Sequence, residues 1–154
     1  MATSQSVRRS ARPVATPLAL LVVLRIVGAL GLLGMAYIHY HLWGIGYHTV
    51  SLIGPLFLVN AIAGAALAIA VLTVPRGLLG ITSALSSLFT LGTLAALLVS
   101  LFWGLFGFRE TTGAPLLKTT LIVEGLGVIV LAVLAALAAR GEGMWRWLPA
   151  ATGD

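Results

Sequence analysis

The sequence predicts an all-α integral membrane protein, a four-helix transmembrane bundle in one domain. The 154-residue chain is 60% hydrophobic and only 8% charged, which leaves too few polar residues to coat a water-soluble domain. Four apolar stretches are each long enough to cross a hydrocarbon core of about 30 Å as a helix. None of them alternates with a period of two, as the strands of a membrane barrel must.

The first predicted helix covers residues 18–42 and follows the basic segment "SVRRSARP". A signal peptide also begins with a basic flank, but this apolar run is too long, contains Arg25, and lacks an A-x-A cleavage site. We therefore expect the helix to be retained. The other predicted helices cover residues 54–74, 78–103 and 119–139. Pro75 and Gly77 in "TVPRG" end the second helix and predict a tight turn.

Basic residues near the helix ends predict that both termini are cytoplasmic (N-in/C-in), because Lys and Arg in short loops stay on the cytoplasmic side. Arg109 and Lys118 fall on the predicted outer side. The predicted inner side has Arg8, Arg9, Arg12, Arg76, Arg140 and Arg146. The net charge of +5 is thus mostly a topology signal and requires no nucleic acid partner.

The bundle, residues 18–140, is flanked by two predicted cytoplasmic tails. Residues 1–17 form a polar basic tail, and residues 141–154 form an interfacial tail in which Trp145 and Trp147 lie beside Arg146 and follow Arg140. The absence of cysteine excludes disulfides, thiolate metal ligands and CxxC redox chemistry. Gly- and Ala-rich usage is typical of high-GC bacteria, so we expect a multi-pass protein of the bacterial plasma membrane. The expected partners are membrane lipids, other membrane subunits or further copies of this chain.

The segment "AYIHYHLWGIGYHT", residues 36–49, contains all three histidines and all three tyrosines of the chain. Its candidate ligand-binding residues are His39, His41, His48, Tyr40 and Trp43. One interpretation is an interfacial belt, in which the aromatic rings lie at the lipid headgroups. The other interpretation is a binding site, and the two stay open at this level.

Arg25 and Glu124 are charged residues within predicted helices, where a charge is costly unless it is paired, hydrated or close to an interface. The long side chain of Arg25 can reach back to the headgroups. Glu124 lies at nearly the same predicted depth as Asn60 and His39.

The candidate site also includes Arg109 and Glu110 from the loop above this layer. At this depth a carboxylate is expected to be protonated or paired, and the candidate partners of Glu124 are His39, Asn60 and Lys118.

Three functions are compatible with this layer. The first is binding of a lipid or quinone-like ligand, in which histidine, carboxylate and aromatic rings supply hydrogen bonds and stacking. The second is a redox subunit that holds haem or a metal through His39, His41 and His48. Residues two apart on a helix point about 200° apart, which weakens a shared site for His39 and His41. The third is a small transporter that acts as an oligomer.

The segments "LRIVGALGLLGMAYIHYHLW" (24–43) and "GPLFLVNAIAGAALA" (54–68) resemble the first two helices of DoxX-like four-helix membrane proteins. The residues that match are Arg25, Gly28, Gly34 and His39. This resemblance implies a small bundle that acts as an accessory membrane subunit.

The sequence contains no Ser-His-Asp order, HExxH or Walker motif, so we expect no catalytic residues and no cofactor. The prediction is a non-catalytic accessory subunit of a membrane complex, or a binder of a lipid or quinone-like ligand near the outer leaflet.

Overall fold

A computed structural model describes residues 17–141 of the chain. They form four long helices, α1 (Leu18–Ile45), α2 (Ile53–Thr73), α3 (Arg76–Phe102) and α4 (Leu117–Gly141). All four are long and apolar enough to cross a membrane. The predicted all-α four-helix class is confirmed. The predicted tails, with Trp145 and Trp147, lie outside the described residues apart from Pro17 and Gly141.

Local breakers determine where the helices end. The first helix extends three residues beyond position 42 and stops at Gly46, whose φ of 151° is readily adopted only by glycine. A short 3-10 helix, Tyr47–Thr49, then leads towards α2. Pro75 separates α2 from α3, because proline lacks the N–H that would continue α2 and its φ of −62° suits the start of a helix.

The four helices do not contact each other equally. Helix α1 packs against α2 and α4, and α3 packs mainly against α4, whereas α2 and α3 make few contacts with each other. The order across the bundle is therefore α2, α1, α4, α3. The two central helices share the seam that joins the α1–α2 hairpin to the α3–α4 hairpin.

Small residues allow the helices to approach closely. A Cβ atom at Gly31 would lie 3.7 Å from the Cα atom of Gly127, so α1 and α4 meet almost backbone to backbone. On the other side of α1, a Cβ atom at Gly64 would lie 2.8 Å from the Met35 methyl carbon and 3.2 Å from the Leu32 carbonyl oxygen. Gly64 therefore allows α2 to pack closely against α1.

Buried hydroxyl groups line the face of α3 that packs against α4. The Ser87 hydroxyl donates a 3.0 Å hydrogen bond to the Val128 carbonyl oxygen of α4. Ser86 and Thr90 instead donate to carbonyl oxygens four residues earlier in α3. These hydrogen bonds satisfy polar groups that hydrocarbon could not solvate.

Large apolar side chains cover the outside of the bundle. Ile62, Ile81 and Ile122 are each about 60% exposed, on three different helices. The interior core is smaller and includes Leu32 and Leu131, which are both fully buried. An apolar exterior of this kind suits a protein that is surrounded by hydrocarbon.

Arg25 connects α1 to the end of α2. Its guanidinium Nη2 donates a hydrogen bond to the carbonyl oxygen of Val74, which immediately follows α2. The side chain is half-buried, and its Nε atom has no hydrogen-bonding partner among the residues that the structure describes. Arg25 therefore caps α2 and ties the two helices of the first hairpin together.

Candidate functional site

A cavity of about 460 Å³ lies at the loop end of the bundle, the end at which residues 46–52 join α1 to α2 and residues 103–116 join α3 to α4. All four helices and both loops contribute to its wall. Apolar lining residues include Ile38, Leu42, Ile53, Phe57, Leu97 and Leu117. The volume lies within the range of about 300 to 1,000 Å³ that is usual for small-molecule pockets.

The cavity reaches the outer surface of the bundle between α2 and α3. Leu56 on α2 and Leu88 on α3 both line the cavity, and they are themselves 40% and 65% exposed. Gly92, which follows Leu88 by one helical turn, also lines the cavity and is exposed. The opening follows from the few contacts between α2 and α3 and faces the surroundings of the helices.

Aromatic rings form part of the wall near the loops. The Tyr47 ring stacks on Phe57 with a centroid separation of 4.8 Å, and its edge meets Phe108 at 5.9 Å. The 3-10 helix is held close to the start of α2, since a Cβ atom at Gly54 would lie 2.8 Å from the His48 carbonyl oxygen. Glycine at position 54 thus lets Tyr47 pack over the cavity.

Tyr47 also connects the two loops. Its hydroxyl donates a 2.8 Å hydrogen bond to Glu110 Oε2. Oε1 of the same carboxylate accepts a 3.0 Å bond from the Thr111 backbone N–H, and the Glu110 N–H donates to Ser100 Oγ at 3.2 Å. Burial, reinforced by the Glu110 carboxylate, raises the pKa of the Tyr47 hydroxyl. The hydroxyl therefore remains a donor.

The second loop turns sharply at three residues with positive φ angles, and Arg109 ties it to the end of α3. Gly104 and Gly107 have φ angles of 88° and 79°, and Phe106 is in the left-handed region at 52°. The exposed Arg109 guanidinium donates to the carbonyl oxygens of Leu101 and Phe102 near the end of α3. Basic side chains are favourable at this end of a helix.

His39 and Glu124 form the polar wall deeper in the cavity. His39 Nδ1 donates a 3.0 Å hydrogen bond to the Met35 carbonyl oxygen, and its Nε2 lies 3.9 Å from Glu124 Oε1. Glu124 is 1% exposed, and neither carboxylate oxygen has a hydrogen-bonding partner within residues 17–141. Asn60 lines the same cavity, whereas Lys118 is exposed on α4.

Four of the candidate residues thus line one cavity, namely His39, Asn60, Glu110 and Glu124. The structure places the other candidates, His41, His48, Tyr40, Trp43 and Arg109, outside that cavity. His41 is exposed and stacks with Tyr37, and His48 Nδ1 donates to the Trp43 carbonyl oxygen at 2.8 Å. No three His, Cys, Asp or Glu side chains in the described part of the chain are grouped as metal ligands. Haem or metal binding stays a prediction.

Sequence reasoning missed Tyr47 and Phe57 as cavity residues. Phe57 precedes Asn60 by three residues, so both lie on one face of α2, and this spacing could have identified Phe57. Tyr47 lacked such a signal, because its position depends on how the 3-10 helix folds back over α2.

Neither a scan against protein-family models nor searches of curated proteins and of solved structures found a match for this chain. The resemblance to DoxX-like proteins stays a prediction.

Proposed function

We propose that this small membrane protein binds an amphiphile, a lipid or quinone-like molecule, in the cavity at the loop end of the bundle. The observation that carries this proposal is the opening of the cavity between α2 and α3. An opening among exposed leucines admits a molecule from the bilayer without passage through water.

The wall of the cavity is suited to a ligand that has an apolar body and a polar head. Phe57 and Leu97 supply apolar and aromatic surface, while His39, Asn60 and Glu124 provide hydrogen-bonding groups in the same cavity. Ligand pockets commonly combine an apolar wall with a few polar groups that fix the orientation of the ligand. The depth of this polar group is compatible with a head that remains near one membrane surface.

The role that follows is binding or presentation of the amphiphile to another membrane subunit. With both termini cytoplasmic, as the basic residues predict, the cavity lies near the outer leaflet. The partner subunit and the bacterial plasma membrane are parts of the same proposal.

The test is native mass spectrometry of the full chain, purified from its host membrane in mild detergent. Gly92→Phe places a ring at the cavity mouth, where a Cβ atom meets no other atom within 4 Å. Gly125→Phe is the matched control, because Gly125 has equal space but does not line the cavity. Far-UV circular dichroism verifies that both variants are helical.

We expect one bound amphiphile per chain in the wild type and in Gly125→Phe, and at least tenfold less bound amphiphile in Gly92→Phe. Equal occupancy of Gly92→Phe and Gly125→Phe, or no retained amphiphile in any of the three proteins, would overturn the proposal. Accurate mass of the released molecule then identifies the ligand.

A further inference from the structure

We infer that the head group of the amphiphile carries a hydroxyl, which bridges His39 Nε2 and Glu124 Oε1. This inference rests on the proposed function and deepens it, because it names the chemical class of the head group. His39 and Glu124 face the same cavity, and their side chains do not reach each other.

The two carboxylates of the cavity differ in their hydrogen bonding. Glu110 accepts from the Tyr47 hydroxyl and from the Thr111 N–H, so both of its oxygens have partners. Glu124 is more deeply buried, and neither of its oxygens has a partner among the described residues. A buried polar group without a partner is costly, and such groups are rare in folded proteins. Glu124 is therefore the group in the cavity that a ligand would satisfy.

The geometry of His39 determines what that ligand meets. Since its Nδ1 donates to the Met35 carbonyl, the neutral ring presents Nε2 as a hydrogen-bond acceptor. Nε2 and Glu124 Oε1 are 3.9 Å apart, too far for a direct hydrogen bond. A single oxygen about 2.8 Å from each atom spans this gap, because the separation is shorter than two such hydrogen bonds.

A hydroxyl is the head group that suits this pair in either state of the carboxyl group. It donates to His39 Nε2 while it accepts from a protonated Glu124; when Glu124 is ionised and His39 Nε2 carries the proton instead, it accepts from the Nε2–H and donates to Glu124. A carbonyl or ether oxygen can only accept, and a phosphate brings a negative charge beside the carboxyl group. The His39 ring also lies 5.1 Å from that of Phe57, so the neighbouring wall is compatible with an aromatic or an aliphatic head.

Competition between matched probes tests this inference on the full chain in detergent micelles. 4-Nonylphenol and its methyl ether, 4-nonylanisole, are mixed in equal amounts and their adducts are compared by native mass spectrometry. In the ether a methyl group replaces the hydroxyl hydrogen, so the ether oxygen can accept a hydrogen bond but cannot donate one. 1-Dodecanol is a third probe, which separates phenolic from aliphatic hydroxyls.

We expect the wild type to favour 4-nonylphenol over 4-nonylanisole by about tenfold or more, since the ether leaves a buried acceptor unpaired. The preference falls to about onefold in His39→Leu, which removes the Nε2 acceptor, and persists in part in Glu124→Gln, which retains hydrogen-bonding atoms. Preference for 1-dodecanol over 4-nonylphenol would assign the hydroxyl to an aliphatic alcohol, and the reverse would assign it to a phenol.

The outcomes separate the two proposals. Equal binding of phenol and ether, both lost in Gly92→Phe, would overturn the hydroxyl inference and leave the proposed function supported. Failure of all three probes to bind the wild type above the level of Gly92→Phe would overturn the inference and count against the proposed function. The comparison of probes on the wild type requires no variant, so it holds even if His39→Leu does not fold.

Discussion

Replacement of Gly64 by alanine is expected to destabilise the protein, although alanine favours helix more than glycine does. The new Cβ atom would lie 2.8 Å from the Met35 methyl carbon, about 0.7 Å short of the lower limit for carbon contacts of about 3.5 Å. Met35 can rotate, but the Leu32 carbonyl oxygen at 3.2 Å is backbone and moves only with α1.

Overpacking of this kind costs about 1 to 3 kcal/mol, and the gain in helix propensity offsets up to about 1 kcal/mol. The net loss for Gly64→Ala is therefore up to about 2 kcal/mol, and the backbone contact with the Leu32 carbonyl oxygen places it in the upper half of that range. The matched control is Gly125→Ala, which meets no atom within 4 Å and is expected to be neutral or slightly stabilising. Titration of micelle-bound protein with SDS, followed by circular dichroism, measures both. If Gly64→Ala proves as stable as Gly125→Ala, the close α1–α2 packing described above is refuted.

Three further predictions use the same unfolding assay. Tyr47→Phe removes the hydrogen bond to Glu110 and lowers the free energy of unfolding by about 1 to 2 kcal/mol. The pKa of Tyr47 is raised above its ordinary 10.0, so the stabilisation that its hydroxyl provides is present below pH 10 and is lost as the pH rises towards the folded-state pKa. Tyr47→Phe has no such hydroxyl and is expected to lack this pH dependence. Ser87→Ala removes the bond to α4 and costs about 0.6 kcal/mol, whereas Ser83→Ala deletes a buried hydroxyl without a described partner and is neutral or stabilising. Arg25→Met keeps an unbranched apolar stem but removes the guanidinium that caps α2, with a loss of about 1 to 2 kcal/mol.

The same measurements could also contradict these three predictions. If the free energy of unfolding changes with alkaline pH in the same way for the wild type and Tyr47→Phe, the hydrogen bond between the two loops is contradicted. A larger loss for Ser83→Ala than for Ser87→Ala would reverse the assignment of the hydroxyl that joins α3 to α4. Unchanged stability of Arg25→Met would mean that the cap contributes nothing measurable.

The four helices could be predicted from sequence because hydropathy and breakers are local signals. Pro75 lacks the N–H that would continue α2, and an apolar run of about twenty residues has few alternatives to a spanning helix. Depth along a helix is also a local quantity, and counting residues from the helix ends predicted a common layer for His39, Asn60 and Glu124. In the structure all three line one cavity.

The neighbours of each helix could not be predicted in the same way. Hydropathy reports that α2 and α3 are apolar but not that they separate and leave an opening at Leu56 and Leu88. Which helices pack closely, as α1 and α4 do at Gly31 and Gly127, is a property of pairs of helices. The position of Tyr47 depends on a three-residue helix whose place is determined by contact with Gly54.

The sparse packing between α2 and α3 has a consequence for assembly. The chain consists of two consecutive hairpins, and each can enter the bilayer as a unit before the α1–α4 seam closes. Because so little holds α2 to α3, the association of the two hairpins depends on the α1–α4 seam. The short Val74–Pro75 connection joins the two hairpins along the chain.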